Sequence, residues 1–364
     1  MKVAFPLMGH LHIGLEACFN NLEIDYFENK PITKQTLELG TKFSPECACL
    51  PFKLNLGNFI EALENHADTL IFAGGFGPCR FGYYGQTQFA ILKNLGYEFT
   101  HIIVEMVEKN QQDFLNKLKT LSNSKNILQV IQAVHFGYLK IKILDEAERK
   151  ALHYRPREKN KGETCRLLNE IINEVYLAGS YIELYKLHMS LDKRFRDISL
   201  DKKRQPIKVG LVGEIYSLLE PRINLNLEKK LGYLGIELVK SIYLSDWIKE
   251  NIFLDVLGLN NKALIKRFAA PYISRDIGGH CLENIGKANY FIKHGCEGII
   301  QVAPLTCMPE IVSKGILNKS TGDYQIPFLS IFIDEQTGEA GLQTRLEAFA
   351  DVLAATSTAS RALL

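Results

Sequence analysis

The chain has 364 residues, 46% of them hydrophobic and 23% charged, which is the composition of a globular protein and excludes a disordered or fibrous one. Its 43 basic and 41 acidic residues give a formal net charge of +2, so no overall field favours nucleic acid or an anionic membrane. No run approaches the roughly 20 apolar residues that cross a bilayer, and the amino terminus lacks the features of a signal peptide. We therefore expect a cytoplasmic protein of two domains that binds neither nucleic acid nor a membrane.

The first third of the chain alternates short apolar runs with stretches of helical periodicity, as parallel α/β proteins do. A loop is predicted across Ser44–Phe52, because two prolines and a serine interrupt any regular ladder there. The remaining pattern predicts a first α/β lobe with strands at 2–8, 22–27, 69–73 and 99–104 and helices at 13–21, 33–39, 56–65 and 83–94.

The middle of the chain has a different character. From Glu108 to about Arg204, helical periodicity is combined with many lysines and glutamates and almost no strand signal, which predicts a helical insertion. Its charged segment Glu146–Glu163 is predicted to be a solvated helix end and loop, and a patch for a polyanionic partner is the weaker alternative.

A second α/β unit follows the insertion. Its opening, Lys208–Glu214, looks like Lys2–Gly9 at the start of the chain, so the two units are interpreted as duplicated subdomains. The pattern predicts strands at 207–213, 235–239 and 326–334, an apolar β-rich run from 298, and helices at 224–231 and 341–356. The predicted organisation is an α/β fold with a first lobe at 1–106, the helical insertion at 107–205 and a second lobe at 206–364, with parallel sheets in both lobes.

Eight cysteines are too few for a secreted disulfide scaffold in a chain of this length, and the cytoplasm keeps thiols reduced. Metal ligation, catalysis and plain burial therefore remain as their roles. Cys18, Cys165 and Cys296 lie on predicted helices or beside a strand and are interpreted as small buried hydrophobes. Cys281, in the loop-to-helix junction Gly278–Gly286, is either a fourth metal ligand or a neighbour of the site.

Two cysteines follow apolar β-rich runs in turns that contain proline, Cys79 in the first lobe and Cys307 in the second. Ligands of open parallel sheets bind beyond the carboxyl ends of the strands, so thiols at these equivalent places indicate one shared site. Cys47 and Cys49 add thiols from the predicted loop, and the sequence alone does not decide between them. A set of soft thiols without histidine spacing favours an iron–sulfur cluster over zinc.

Three polar residues accompany these thiols. Tyr84, shortly after Cys79, is interpreted mainly as a packing residue at the start of a helix, with donation to a cluster or a substrate as the alternative. Glu310, in the second cysteine turn, is interpreted as favouring a helix amino terminus. Glu214 is interpreted as a surface turn residue, and acid–base work is its alternative role.

Four stretches of the chain resemble the 2-hydroxyacyl-CoA dehydratase superfamily, in particular its stand-alone branch of CoA-substrate enzyme activase-related proteins: Ser44–Lys53, Gly77–Tyr84, Thr306–Glu310 and Asp334–Phe349. The resemblance spans most of the chain outside the insertion. It implies that the two lobes are Rossmann-like and that three cysteines hold a [4Fe-4S] cluster. Carried onto this sequence, the implied ligands are Cys49, Cys79 and Cys307, with Cys47 and Cys281 as weaker candidates.

The resemblance also implies a partner and a reaction. Such proteins receive low-potential electrons from an ATP-hydrolysing activator with its own cluster and use them for reductive or radical dehydration of an acyl-CoA or small-molecule substrate. A double-cubane cluster would need more than three thiols, and a homodimer and a heterodimer are both compatible with the resemblance. Two other interpretations stay open: a non-catalytic accessory protein that stores or delivers a cluster or electrons, and a small-molecule binding protein with structural zinc.

Overall fold

The structure is a computed structural model that describes residues 1–28, 31–74, 79–104, 125–253 and 262–362. The start of the predicted insertion, at 107–124, and Gly77–Pro78 of the first cysteine turn lie outside these residues. The chain divides into two units, one from Met1–Ile141 and Ile248–Leu259 and the other from Lys142–Trp247 and Asn260–Leu364. Each unit contains a parallel sheet, so the predicted α/β fold with two parallel sheets is confirmed.

The first unit has a parallel sheet in the order β1–β2–β3, formed by Val3–Ala4, Thr69–Ala73 and Thr100–Val104. A 3₁₀ turn precedes the last of its helices, which are α1 (Leu11–Leu22), α2 (Lys34–Phe43), α3 (Leu50–Glu64) and α4 (Tyr84–Asn94). Val3 pairs with Thr69 of β2 and also forms an isolated parallel bridge with Tyr26. The segment around Tyr26 therefore takes the place of a further strand beside β1.

The first two predicted strands, at 2–8 and 22–27, are much shorter in the structure. The ladder of β1 covers two residues, because Pro6 has no N–H group to donate further along. Of the second predicted strand, Tyr26 alone is assigned to a bridge. The length of such a pairing depends on the partner segment and not only on the apolar pattern of the strand itself. The predicted strands were therefore too long.

The second unit has a parallel sheet in the order β5–β4–β6–β7, formed by Ile236–Lys240, Ile207–Gly213, Gly298–Pro304 and Phe328–Ile333. The long helix α5 (Ile127–Tyr154) contributes residues to both units. A 3₁₀ turn lies at Arg155–Arg157 in this unit, whereas the π-helical turn at Lys249–Phe253 belongs to the first unit. The other helices are α6 (Glu163–Leu177), α7 (Tyr181–Arg196), α8 (Ile215–Leu219), α9 (Leu227–Tyr233), α10 (Leu244–Ile248), α11 (Ala263–Ala269), α12 (Cys281–Lys293), α13 (Met308–Asp323) and α14 (Glu339–Ala362).

The strand order of the two units is the same, which is what the predicted duplication requires. In the second unit the first strand, β4, lies between the second strand, β5, and the third strand, β6. In the first unit β1 lies in the same way between the Tyr26 segment and β2. The order reverses between the first and third strands of each sheet, and in open α/β sheets ligands bind outside the carboxyl ends of the strands at that point. β2 and β6 are thus the strands after which a site is expected.

The helix α3 begins six residues earlier than predicted, at Leu50. The predicted loop across Ser44–Phe52 is therefore wrong for its last three residues, because Pro51 falls in the first helical turn, where proline has no intrahelical bond to lose. The backbones of α2 and α3 touch: a Cβ atom on Gly57 would lie 2.0 Å from the carbonyl oxygen of Thr36, and one on Gly40 would lie 1.7 Å from that of Lys53. This close crossing positions the start of α3.

One helical stretch, Ile127–Arg157, is long and apolar enough to cross a membrane by length and composition, with a mean hydropathy of 1.3. The middle of the stretch is packed within the protein, whereas its first residues, such as Ile127 and Leu128, are exposed. A Cβ atom on Gly137 would lie 2.3 Å from the carbonyl oxygen of Gly14, and Leu144 and Ala147 are wholly buried. We therefore assign this stretch as a buried core helix.

Candidate functional site

Cys49 lies at the amino terminus of α3, where the structure buries its thiol. Its backbone is extended, with φ −73° and ψ 158°, and its side chain makes no capping hydrogen bond to the helix. The carbonyl oxygen of Cys49 accepts the first helical bond, from the N–H of Phe52 at 2.9 Å. The thiol thus lies, buried, at the start of a helix that it does not cap.

Cys79 follows β2 and caps the 3₁₀ turn Arg80–Tyr83 that leads into α4. Its backbone is also extended, with φ −71° and ψ 131°, and its thiol is half-buried. Arg80 donates a hydrogen bond from Nη1 to the carbonyl oxygen of Cys47 at 3.1 Å. This bond ties the turn after Cys79 to the loop that carries Cys47 and Cys49. Cys47 itself is exposed.

Tyr84, the first residue of α4, contacts the thiol at the start of α3. Its hydroxyl group makes a short hydrogen-bond contact with Sγ of Cys49, and both residues are buried. Burial raises the pKa of Tyr84 above its usual range, and the charges of Cys49 and Cys79 add to the effect. The phenol of Tyr84 therefore keeps its proton, and Cys49, which it contacts, and Cys79 both influence it electrostatically.

Cys307 repeats this arrangement in the second unit. It caps α13 directly after β6, with an extended backbone at φ −74° and ψ 104°, a buried thiol and no side-chain capping bond. The N–H of Ile311 donates to its carbonyl oxygen at 2.9 Å. A proline follows two positions later, as it does after Cys49, so Cys-Leu-Pro and Cys-Met-Pro begin helices in the two units.

Cys281 is the first residue of α12, the helix that leads into β6. It is wholly buried, and burial, together with Glu310 and Asp276, raises the pKa of its thiol to about 12. In the first unit α3 leads into β2 in the same way and begins next to Cys49. Cys281 and Cys307 thus occupy the topological places that Cys49 and Cys79 occupy in the first unit.

The first turns of α12 and α13 are in contact. Gly279, with φ +56°, precedes α12, and a Cβ atom there would lie 3.0 Å from Cγ of Pro309. Glu310 is buried next to Pro309, and its Oε1 atom accepts a hydrogen bond from Nδ2 of Asn284 at 2.8 Å. The helix starts at Cys281 and after Cys307 are therefore fixed against each other.

Glu310 is the centre of a buried hydrogen-bond network that the sequence did not predict. Its Oε2 atom accepts bonds from Nε2 of Gln301 at 2.8 Å and from Oγ of Ser313 at 3.1 Å. Asn284 also exchanges two bonds with the backbone of Gly213, at 3.2 and 3.0 Å. Burial raises the pKa of Glu310 to about 7, and the charge of Glu214 contributes. The network joins the carboxyl end of β4, strand β6 and the two helix starts.

Glu214 is a helix cap rather than a free surface residue. Its Oε1 accepts from the N–H of Tyr216 at 2.9 Å, and its Oε2 accepts from the N–H and hydroxyl groups of Ser217 at 3.0 and 3.1 Å. Burial raises the pKa of this carboxyl group. The residue is half-buried, so the residue predicted to lie in a surface turn caps α8 as well.

The donor atoms at these helix starts are soft thiol sulfurs. Within the residues that the structure describes, no group of three or more His, Cys, Asp or Glu side chains is arranged to hold a metal ion. The first unit nevertheless presents Cys49 and Cys79 beside one phenol, and the second presents Cys307 at a helix start. Soft thiolates of this kind are the ligands that iron–sulfur clusters use.

Cys18, Cys165 and Cys296 were all interpreted from the sequence as small buried hydrophobes. Cys18 and Cys296 lie in apolar clusters of the first and second unit, as predicted. For Cys165 this interpretation is wrong, because the residue is half-buried in α6 and its Sγ lies 3.3 Å from the hydroxyl group of Tyr233.

A family model described as "CoA enzyme activase uncharacterised domain (DUF2229)" matches residues 7–242, which is more than half of the chain. No curated protein matches the sequence.

Proposed function

The chain belongs to the CoA enzyme activase uncharacterised domain family, and from that premise we propose that it is an iron–sulfur protein of the 2-hydroxyacyl-CoA dehydratase type. It holds a [4Fe-4S] cluster through Cys49, Cys79 and Cys307. It receives low-potential electrons from an ATP-dependent activator protein and works in the cytoplasm on an acyl-CoA or another small reducible substrate. The reaction is a reductive or radical dehydration.

The observation that carries this proposal is the shared setting of the three thiols. Cys49, Cys79 and Cys307 each have an extended backbone, each precede a helical segment, and none uses its sulfur to cap that segment. Cys79 follows β2 and Cys307 follows β6, at the carboxyl ends of strands where α/β proteins bind ligands. Plain core cysteines such as Cys18 lie within helices instead.

The chain's own residues supply binding and orientation. A cluster held by Cys49, Cys79 and Cys307 would supply one-electron transfer and Lewis-acid chemistry. The helix starts at Cys49 and Cys307 stabilise negative charge on the sulfur atoms. Arg80 holds the loop that carries Cys49, and the network around Glu310 holds the start of α13 after Cys307. These contacts position the backbone segments that carry the thiols.

Iron and acid-labile sulfide analysis of protein purified without oxygen tests the proposal. Wild type should carry about four irons per chain with a brown visible spectrum, and Cys49→Ser, Cys79→Ser and Cys307→Ser should each lose the cluster. Cys165→Ser is the matched control, because a serine hydroxyl can still bond to Tyr233. About eight irons would indicate a double-cubane cluster, and a colourless wild type after anaerobic reconstitution would contradict the proposal.

A second measurement separates an enzyme from an accessory protein. The loaded protein is mixed with an ATP-dependent activator of this superfamily, ATP and a 2-hydroxyacyl-CoA, and the enoyl-CoA product is assayed. We expect turnover that is absent without ATP. Reduction of the cluster without turnover of any acyl-CoA would identify a carrier of electrons rather than a dehydratase.

A further inference from the structure

The hydroxyl group of Tyr84 makes a polar contact that aromatic packing alone does not require. Its oxygen contacts Sγ of Cys49, 35 positions away in the sequence, inside the apolar core of the first unit. A tyrosine that only filled space at the start of α4 would not need to direct its polar atom at a sulfur. Buried phenol hydroxyl groups normally have a hydrogen-bond partner, and here the partner is the thiol.

The packing that holds Tyr84 in place does not depend on this hydroxyl group. The Tyr84 ring packs edge-on against Phe52 with centroids 4.9 Å apart, and it also contacts Phe81 at 5.6 Å. One turn later in α4, Gln88 donates to the carbonyl oxygen of Phe52 at 2.8 Å. Aromatic packing and the Gln88 hydrogen bond thus hold the start of α4 against the first turn of α3. A phenylalanine at position 84 keeps all of these contacts and removes the hydroxyl group alone.

The direction of the hydrogen bond follows from the chemistry of a ligating sulfur. A cysteine that binds a metal has lost its proton, so its sulfur can only accept. We propose that Tyr84 is a positioning residue that donates a hydrogen bond to the sulfur of Cys49 and thereby sets the metal affinity and the reduction potential of the site. The inference rests on the proposed function insofar as Cys49 must be a metal ligand.

Two measurable consequences follow. Partners that bond to a metal's ligands typically account for 10- to 100-fold in metal affinity, so we expect the loss of the hydroxyl group to weaken thiophilic metal binding by about 10-fold or more. A donated hydrogen bond also stabilises negative charge on the sulfur, which favours the reduced state. Its loss should shift the midpoint potential to more negative values, by about 59 mV for each 10-fold change in a one-electron equilibrium.

The matched pair of variants is Tyr84→Phe and Tyr83→Phe. Tyr83 is the neighbouring residue, and it is 72% exposed, so its hydroxyl group lies outside the core. The first readout is the binding of Cd²⁺ to oxygen-free apoprotein, followed by thiolate-to-metal absorbance in competition with a chelator. The second readout is the midpoint potential of the iron-loaded protein. Tyr84→Phe should change both, and Tyr83→Phe should match wild type in both.

The Cd²⁺ measurement distinguishes this inference from the proposed function. If wild type assembles no iron–sulfur cluster but its Cd²⁺ affinity falls in Cys49→Ser and in Tyr84→Phe, the proposed function fails and the inference stands. If Cys49→Ser leaves Cd²⁺ binding unchanged, or if Tyr84→Phe matches Tyr83→Phe in both readouts, the inference is overturned.

Discussion

Asn284 donates a hydrogen bond from its side-chain amide to the carboxyl group of Glu310 at 2.8 Å, and both side chains are buried. The bond joins α12, which begins at Cys281, to α13, which begins after Cys307. The placement of these two helix starts therefore depends on the carboxyl group of Glu310.

The stability of the folded protein should depend on pH through Glu310. Its pKa is about 7 in the folded protein, against an ordinary 4.5, so the folded state holds a proton that the unfolded chain has released. The stability contributed by this carboxyl group is complete below about pH 4.5 and is lost as pH rises to about 7, by roughly 3 kcal/mol for a shift of this size. Between pH 5 and pH 8, the free energy of unfolding of wild type should therefore fall relative to that of Glu310→Gln. Denaturant unfolding of both proteins at several pH values measures this difference. The exposed Glu347→Gln is the control, and parallel profiles for all three proteins would contradict the assignment.

Gly57 should not tolerate a side chain. An alanine there would place its Cβ atom 2.0 Å from the carbonyl oxygen of Thr36, so α2 and α3 would have to separate. We expect Gly57→Ala to lower the free energy of unfolding by about 1–3 kcal/mol or more, as overpacking does. Gly315 lies in α13 with nothing within 4 Å of an added Cβ atom, so Gly315→Ala should be neutral or stabilising. Equal stability of the two variants would show that the helices do not cross this closely.

Lys240 should be intolerant of neutralisation. Its side chain is 2% exposed, and its Nζ atom lies 2.9 Å from carboxylate oxygens of both Glu148 and Glu228. Lys240→Met leaves two carboxylates without their buried partner and should cost about 3–5 kcal/mol of unfolding free energy. Adding Glu148→Gln to Lys240→Met should recover part of this loss, because one uncompensated charge is removed. The exposed Lys229→Met is the control, and no recovery in the double variant would argue against a shared ion-pair network.

The cysteines should differ in their reactivity towards iodoacetamide. Cys47 is exposed, whereas Cys281 is wholly buried and its pKa is raised to about 12. At pH 8 under native conditions, mass spectrometry of oxygen-free apoprotein should therefore find Cys47 alkylated and Cys281 unmodified. Unfolding in denaturant should make both react. Native labelling of Cys281 at a rate near that of Cys47 would mean that α12 and α13 separate in solution.

Buried strands that are marked by a continuous apolar run were predicted correctly from the sequence. The strand at 207–213 and the strand at 69–73 match their predicted bounds, because continuous apolar runs bounded by turns identify buried parallel strands. The start of α3 was misplaced, because Pro51 reads as a helix breaker although it is tolerated in a first turn.

Contacts between distant residues could not be predicted in the same way. The bond between Tyr84 and Cys49, and the network around Glu310, join positions that periodicity does not relate. The charged segment Glu146–Glu163 shows the limit most clearly. It was predicted to be solvated, yet Glu158 is buried and accepts bonds from the N–H groups of Gly162 and Thr164 at the start of α6. A charge pattern indicates solvation only when no helix start lies nearby to pair with the charge.

The ratio of iron to protein chain in anaerobically purified Cys307→Ser, measured beside wild type and Cys165→Ser, tests the central claim most directly. We predict about four irons in wild type and in Cys165→Ser and none in Cys307→Ser. Iron content that is the same in all three proteins, or absent from all three after reconstitution, would contradict the assignment of Cys307 as a cluster ligand.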